Sequence, residues 1–205
     1  VIGVATSFAT AESSLAGLID PTAALQQILT SGQRISNVIS ERLHLVRRHN
    51  LSLEEAEVSE LVHEAVAEVQ LLADARKIAL EPDCLPSPHT VVVDRALVVV
   101  ALVDLIRNSL DAIGQTGSVV IRCSRSEDRS AIFLVITDTG PEIPEDLLAR
   151  VTEPYFGTKA SGTGLGLAVV QQIAEAHGGR LSVKNNESHG AEITIELPSS
   201  PRSDN

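Results

Sequence analysis

At 205 residues, 43% of them hydrophobic, the chain can bury one good-sized core or two small ones, and with aromatics at only 2% that core must be aliphatic. A formal net charge of −11 and the scarcity of aromatic stacking platforms argue against nucleic acid as a partner. No apolar run approaches the ~18 residues of a membrane span, and Cys84 and Cys123 stand in unrelated contexts with no metal-type spacing, which suits a reducing, cytoplasmic setting.

In chain order, the stretch up to Ile19 is small and apolar, and Asp20-Pro21 reads as an N-cap followed by proline at the first helical position. Leu25, Ile28, Leu29, Ile35, Ile39, Leu43 and Val46 then recur at spacings near three and four, which predicts an amphipathic helix to about His49. Two such helices form an antiparallel hairpin over 1–49, and its apolar stripe is economically buried in a dimeric four-helix bundle. The second helix outruns the first by about ten residues, roughly 15 Å at the helical rise. Because the chain also contains no methionine, it is expected to be a fragment whose hairpin continues upstream of Val1.

Residues 50–57 read as a linker with a short strand through Leu51 and Leu53, and a domain is expected over 58–198 before a disordered tail at 199–205. The apolar stripe of Leu61, Val62, Ala65, Val66, Val69, Leu72 and Ala73 predicts a helix from Val58 to Arg76. Short strands follow at 77–80 and 90–93. Asp94 caps a strongly apolar helix that Gly114 and Gly117 end. Strands at 119–124 and 132–137 flank a polar turn, a helix starts near Gly164, and His177-Gly178-Gly179 is its Schellman-type stop. A closing hairpin pairs 181–184 with 193–197. No internal repeat is present, and three main helices with about five strands make an α+β two-layer sandwich.

Three stretches carry chemistry. From Pro154 to Leu167 the chain reads PYFGTKASGTGLGL, a glycine-rich loop running into a helix N-terminus, where free N–H groups and the macrodipole favour phosphate. It matches neither standard nucleotide fingerprint, so a plain surface loop stays open. Asp104, Asn108 and Asp111 share one face of the helix after Asp94. That face reads either as solvated surface or as a site in which Asn108 offers oxygen to Mg²⁺ and Asp104 accepts a proton. Asp138-Thr-Gly140-Pro-Glu142 ends an apolar strand, as an ordinary turn or as a carboxylate that takes a hydrogen bond from the exocyclic amine of adenine.

In this order, IRNSLDAI, DTGPEIP, EPYFGTK and GTGLGL resemble the N-box, first glycine motif, lid and second glycine motif of the sensor histidine kinases of two-component systems. RNSLDA and the PYFGTK lid look most like the nitrogen-regulation and oxygen-sensing branch. The resemblance implies a histidine kinase/Hsp90-like ATPase domain following the dimerisation hairpin. It implies ATP and Mg²⁺ as cofactors, a homodimer, and phosphoryl transfer from ATP to a histidine for relay to a response regulator receiver domain. It makes Asn108 the Mg²⁺ ligand and Asp104 the catalytic base or water-orienting group. Asp111, Asp138, Gly140, Lys159, Gly162, Thr163, Gly164, Leu165 and Gly166 become nucleotide-binding residues. Two departures stand out: Glu142 replaces the family's second glycine, and no histidine precedes His44. Either the acceptor histidine lies upstream, or Thr6 occupies its place and the chain is a non-catalytic dimeric scaffold that binds a regulator.

Overall fold

The computed structural model describes residues 51–84, 90–156 and 164–199, all within one compact unit, Arg42–Asn205. The expected hairpin over 1–49, with Thr6, lies outside the described residues. The elements are β1 (Leu53–Glu57), α1 (Val58–Arg76), β2 (Ile78–Asp83), β3 (Thr90–Asp94), α2 (Arg95–Ile113), β4 (Gly117–Arg125), β5 (Ala131–Asp138), the short α3 (Glu145–Leu148), α4 (Gly166–Ala176), β6 (Arg180–Asn185) and β7 (Ala191–Pro198).

Five strands form a mixed sheet in the order β2-β4-β5-β7-β6, in which β2 runs parallel to β4 and the other pairs are antiparallel. Along β5 and β7 the side chains alternate, with Ile132, Leu134 and Ile136 on one strand and Ile193, Ile195 and Leu197 on the other turned inward. This period of two marks a sheet with one face covered. The cover is α1, α2 and α4, whose Leu61, Val62, Leu102, Leu105, Ile106, Leu110, Val170 and Ile173 join the same core. Burial of each such side chain contributes about 1.5–3 kcal/mol.

Local chemistry sets the helix ends. Asp94 caps α2 by accepting a hydrogen bond from the Leu97 N–H at 3.2 Å, and Gly114 closes that helix at φ 76°. Gly179 N–H donates to the Ala174 carbonyl at 2.9 Å and Gly178 N–H to Glu175 at 3.0 Å, which is the Schellman pattern. The start of α4 falls at Gly166, two residues later than expected, because Gly164 takes a left-handed turn at φ 66°. Helices α1 and α2 run side by side, tied near their starts by Arg95 to Glu60 and Glu64 and at their ends by Arg76 to Asp111.

Helices α2 and α4 are tied at the end where α2 begins and α4 stops. The buried His177 accepts a hydrogen bond from the Asp94 N–H at Nε2 (2.9 Å), and its Nδ1 lies 2.7 Å from the Ile173 carbonyl. Only the neutral tautomer protonated at Nδ1 satisfies both partners. The Asp94 carboxylate also accepts from the Ser52 N–H at 3.1 Å, where the chain enters the domain.

The short strand expected in the stretch read as linker is β1, lying at Leu53–Glu57, whose single buried residue is Ala56 and whose partner is β3 in antiparallel register. One expectation changes. The two cysteines are not unrelated thiols: the parallel register that sets Asp83 opposite Arg122 brings the next residues together, and Cys84 and Cys123 form a disulfide. A reducing compartment would hold such a pair open.

Candidate functional site

The site lies where β5 ends beneath α2 and the start of α4. The Asp138 carboxylate is 3% exposed, so its acceptor atoms need partners inside the protein. Its Oδ1 accepts from the N–H groups of Gly140 (2.9 Å) and Ala191 (3.3 Å), and its Oδ2 accepts from the Ser109 hydroxyl (3.2 Å). A carboxylate offers about four acceptor sites, so one position on Oδ2 is left without a donor among the described residues. Glycine is required at Gly140, where a Cβ would lie 2.9 Å from Asp138 Oδ1 and 3.2 Å from the Ala112 side chain. Gly190, at φ 91°, lets the start of β7 approach the Asp138 main chain more closely still.

Above this carboxylate, α2 presents Asn108 to the first residue of α4. A Cβ on Gly166 would stand 3.1 Å from Asn108 Nδ2 and 3.7 Å from its Oδ1. The amide and the start of a helix with unpaired N–H groups thus share one small space, a donor set that fits a magnesium-bound phosphate. One helical turn earlier, half-buried Asp104 has its carboxyl pushed up by burial, while Arg107 pulls it back down. A carboxyl with a raised pKa suits proton transfer.

Gly164 stands against Tyr155 and Phe156: a Cβ there would be 2.6 Å from the Tyr155 carbonyl carbon and 2.9 Å from the Phe156 backbone. The two sides of the glycine-rich segment therefore meet at its base. Phe156 is held by the Arg150 guanidinium, 4.5 Å from the ring centre.

Of the sequence-predicted residues, the structure pairs Asp138 with Gly140 and Asn108 with Gly166, and Ser109, next to Asn108 on α2, bonds the first pair to that helix; Asp104 stands one turn before Asn108. Leu165 is buried as the N-cap of α4. Asp111 is exposed, and its carboxylate is engaged by Arg76 at 2.6 Å. Lys159, Gly162 and Thr163 lie outside the described residues. Glu142, the departure from the family pattern, is exposed and sits 3.9 Å from His189. Sequence reasoning passed over Ser109 and Asn185. Ser109 had a signal, a hydroxyl among the buried Leu105, Ile106 and Leu110; Asn185 had none, since a strand-end asparagine is ordinary.

The site thus combines a strand-end carboxylate buried against an amide-bearing helix with a second helix that starts on a close-approach glycine. The chain belongs to the histidine kinase-, DNA gyrase B- and HSP90-like ATPase family, whose sequence profile matches residues 93–201. It is 36% identical over 174 residues to the sensor histidine kinase ZraS of Salmonella typhi, covering 84% of this chain and 37% of that protein. It is 30% identical over 192 residues to the sensor protein FixL of Bradyrhizobium diazoefficiens, covering 90% and 38%. The chain thus spans well under half the length of these relatives. Among solved structures, the catalytic domain of histidine kinase ThkA matches with TM-score 0.68 and 27% identity over 73% of this chain and 97% of that one. ThkA in complex with the response regulator protein TrrA shares the fold with TM-score 0.71 at 23% identity, over 98% and 58% of the two chains. The described unit is an ATPase domain of the sensor histidine kinase type.

Proposed function

We propose that the chain is part of the cytoplasmic core of a dimeric sensor histidine kinase. It binds ATP with Mg²⁺ and transfers the γ-phosphoryl group to a histidine, from which it passes to an aspartate of a response regulator. The observation that carries this reading is the buried Asp138 carboxylate, bonded to Ser109 of α2 with an acceptor position unfilled among the described residues, beside the residue, Asn108, that meets Gly166. The ThkA–TrrA complex is a precedent for a receiver-domain partner.

In this reading Asp138 accepts the exocyclic amine of adenine at Oδ2, and Gly140 leaves space for the base. Asn108 supplies the amide oxygen that holds Mg²⁺, an ion that neutralises charge on the phosphate oxygens when bound. The N–H groups at the start of α4 face the phosphates, and Lys159 approaches from the lid. Asp104 accepts the proton of the attacking nucleophile or orients it. Positioning and charge neutralisation supply most of the rate, as is general for phosphoryl transfer.

Calorimetric titration with ATP tests the reading. The wild-type chain should bind ATP more tightly with Mg²⁺ than without, and Asn108→Ala should lose the magnesium-dependent part. Equal affinity in both proteins would remove Asn108 as the metal ligand. A wild-type chain with no affinity for ATP would remove the function itself.

A further inference from the structure

Asn185, the last residue of β6, grips the main chain of Ile143 from both sides. Its Oδ1 accepts from the Ile143 N–H at 2.8 Å, and its Nδ2 donates to the Ile143 carbonyl at 2.8 Å. A primary amide is the side-chain group that sets an acceptor and a donor side by side, so it can mimic a strand partner. The contact is partly buried and joins residues 42 positions apart, which makes it a tertiary tie rather than a turn closing on itself.

The same hairpin holds the other end of this segment. Ala191 N–H reaches the Asp138 carboxylate at 3.3 Å, Gly190 gives the close approach beside it, and His189 stands 3.9 Å from Glu142. Residues 138–143 are therefore suspended between the end of β6 and the start of β7. The two anchors use different atoms: Asp138 is held by Gly140, Ser109 and Ala191, and Ile143 by the side chain of Asn185, which stands opposite Ala191 in the β6–β7 ladder. Asn185→Ala removes the side-chain tie to Ile143 and no atom of Ser109, Gly140 or Ala191.

We infer that Asn185 is a positioning residue for adenine-nucleotide recognition, fixing the 139–143 backbone so that the space beside Asp138 takes adenine and rejects guanine; this rests on the ATP-binding reading above. A single carboxylate acceptor reads the adenine amine, but rejection of the guanine edge needs a wall that does not yield. Sites discriminate strongly when the wrong ligand leaves fixed polar groups unpaired, and a yielding backbone forfeits that penalty.

The test measures ATP and GTP affinity of the 205-residue wild-type chain, Asn185→Ala and Asn185→Asp, together with amide exchange of Ile143. Asn185→Ala should weaken ATP by about tenfold, the scale of one or two lost hydrogen bonds, with a smaller loss for GTP, so that the ATP:GTP preference falls. Ile143 exchange should quicken in the absence of nucleotide. Asn185→Asp keeps an acceptor for the Ile143 N–H but sets an oxygen against the Ile143 carbonyl, so it should lose as much preference as alanine. If Asn185→Ala does not fold, Asn185→Gln, which displaces the amide by one methylene, is put through the same measurements. An unchanged preference, whether affinity is kept or lost equally for both nucleotides, overturns the inference while leaving ATP binding intact. Absence of nucleotide binding by the wild type overturns the underlying reading and the inference with it.

Discussion

Asn108 and Gly166 face each other so closely that the hydrogen on the glycine Cα is all the space allows: a Cβ would stand 3.1 Å from the amide nitrogen. The contact is tight without being impossible, and a side chain there displaces Asn108 before it breaks the fold. Gly166→Ala should therefore lower the magnesium-dependent part of ATP affinity by roughly tenfold, while the magnesium-independent part changes little. A bulkier Gly166→Val should abolish the dependence. Paired titrations with and without Mg²⁺ check this, and an unchanged magnesium effect in the valine variant would refute it.

Asp138 accepts three internal hydrogen bonds, so its replacement by alanine strands three buried or partly buried donors. Each unsatisfied group costs about 1–3 kcal/mol, and Asp138→Ala should show a clear drop in its urea midpoint. Asp138→Asn retains an oxygen for the two main-chain donors and should stay close to wild-type stability. It presents an amide donor where the adenine amine needs an acceptor, so ATP binding should still fail. Denaturation and calorimetry together separate the two effects.

The Asp104 carboxyl is held above its ordinary range by burial, against the opposing pull of Arg107. The folded protein consequently keeps this proton more tightly than the unfolded chain does. Stability from that protonation is present below the ordinary carboxylate value and is lost as pH rises through the raised one. Asp104→Asn carries no charge to desolvate, so it should be at least as stable as wild type at neutral pH, with the difference vanishing in acid. With a hairpin that supplies an acceptor histidine, and Asp104 as the proposed base, phosphoryl transfer by the same variant should fall by roughly 10²–10⁴-fold. Urea midpoints across pH and transfer assays provide the two readouts.

The Cys84–Cys123 disulfide spans 39 residues of sequence and sits toward the far end of β4 from Ser118, which bonds Thr139 at the site. Loop-closure reasoning gives about 3–4 kcal/mol for a span of this length. Cys123→Ser should lose that amount under oxidising conditions, and a reductant should lower the wild type to the same level without affecting the variant. ATP affinity should not change in either case, because the site end of β4 is untouched.

Much of the fold was legible because its signals are local. The stripe from Leu61 to Ala73 and the cap at Asp94 announce α1 and α2, and the glycines after His177 announce the stop of α4. The short strand expected through Leu51 and Leu53 falls at Leu53–Glu57 instead, since LEEAE has one inward residue, Ala56, and owes its conformation to the ladder with β3. The cysteine pairing was hidden in the parallel register of β2 and β4, which nothing near either cysteine encodes. At the candidate site, Asp138, Asn108, Gly140 and Gly166 were singled out because their residue types stand out in such contexts. Asn185 and Ala191 were not, because what they contribute is a hydrogen bond to main chain or from it. Asp111, which helical spacing sets with Asn108, has a tertiary partner that the sequence did not announce, Arg76.

The bond from Asp94 to His177 has a consequence of its own. Helices α2 and α4 carry Asn108 and Gly166, meet there, and are stitched together again at their other end, so they form a lever with two fixed points. The stitch shares Asp94 with Ser52, the residue on which the preceding chain arrives. The main chain at Ser52 is thereby joined, through Asp94 and His177, to the same two helices whose opposite ends bring Asn108 against Gly166.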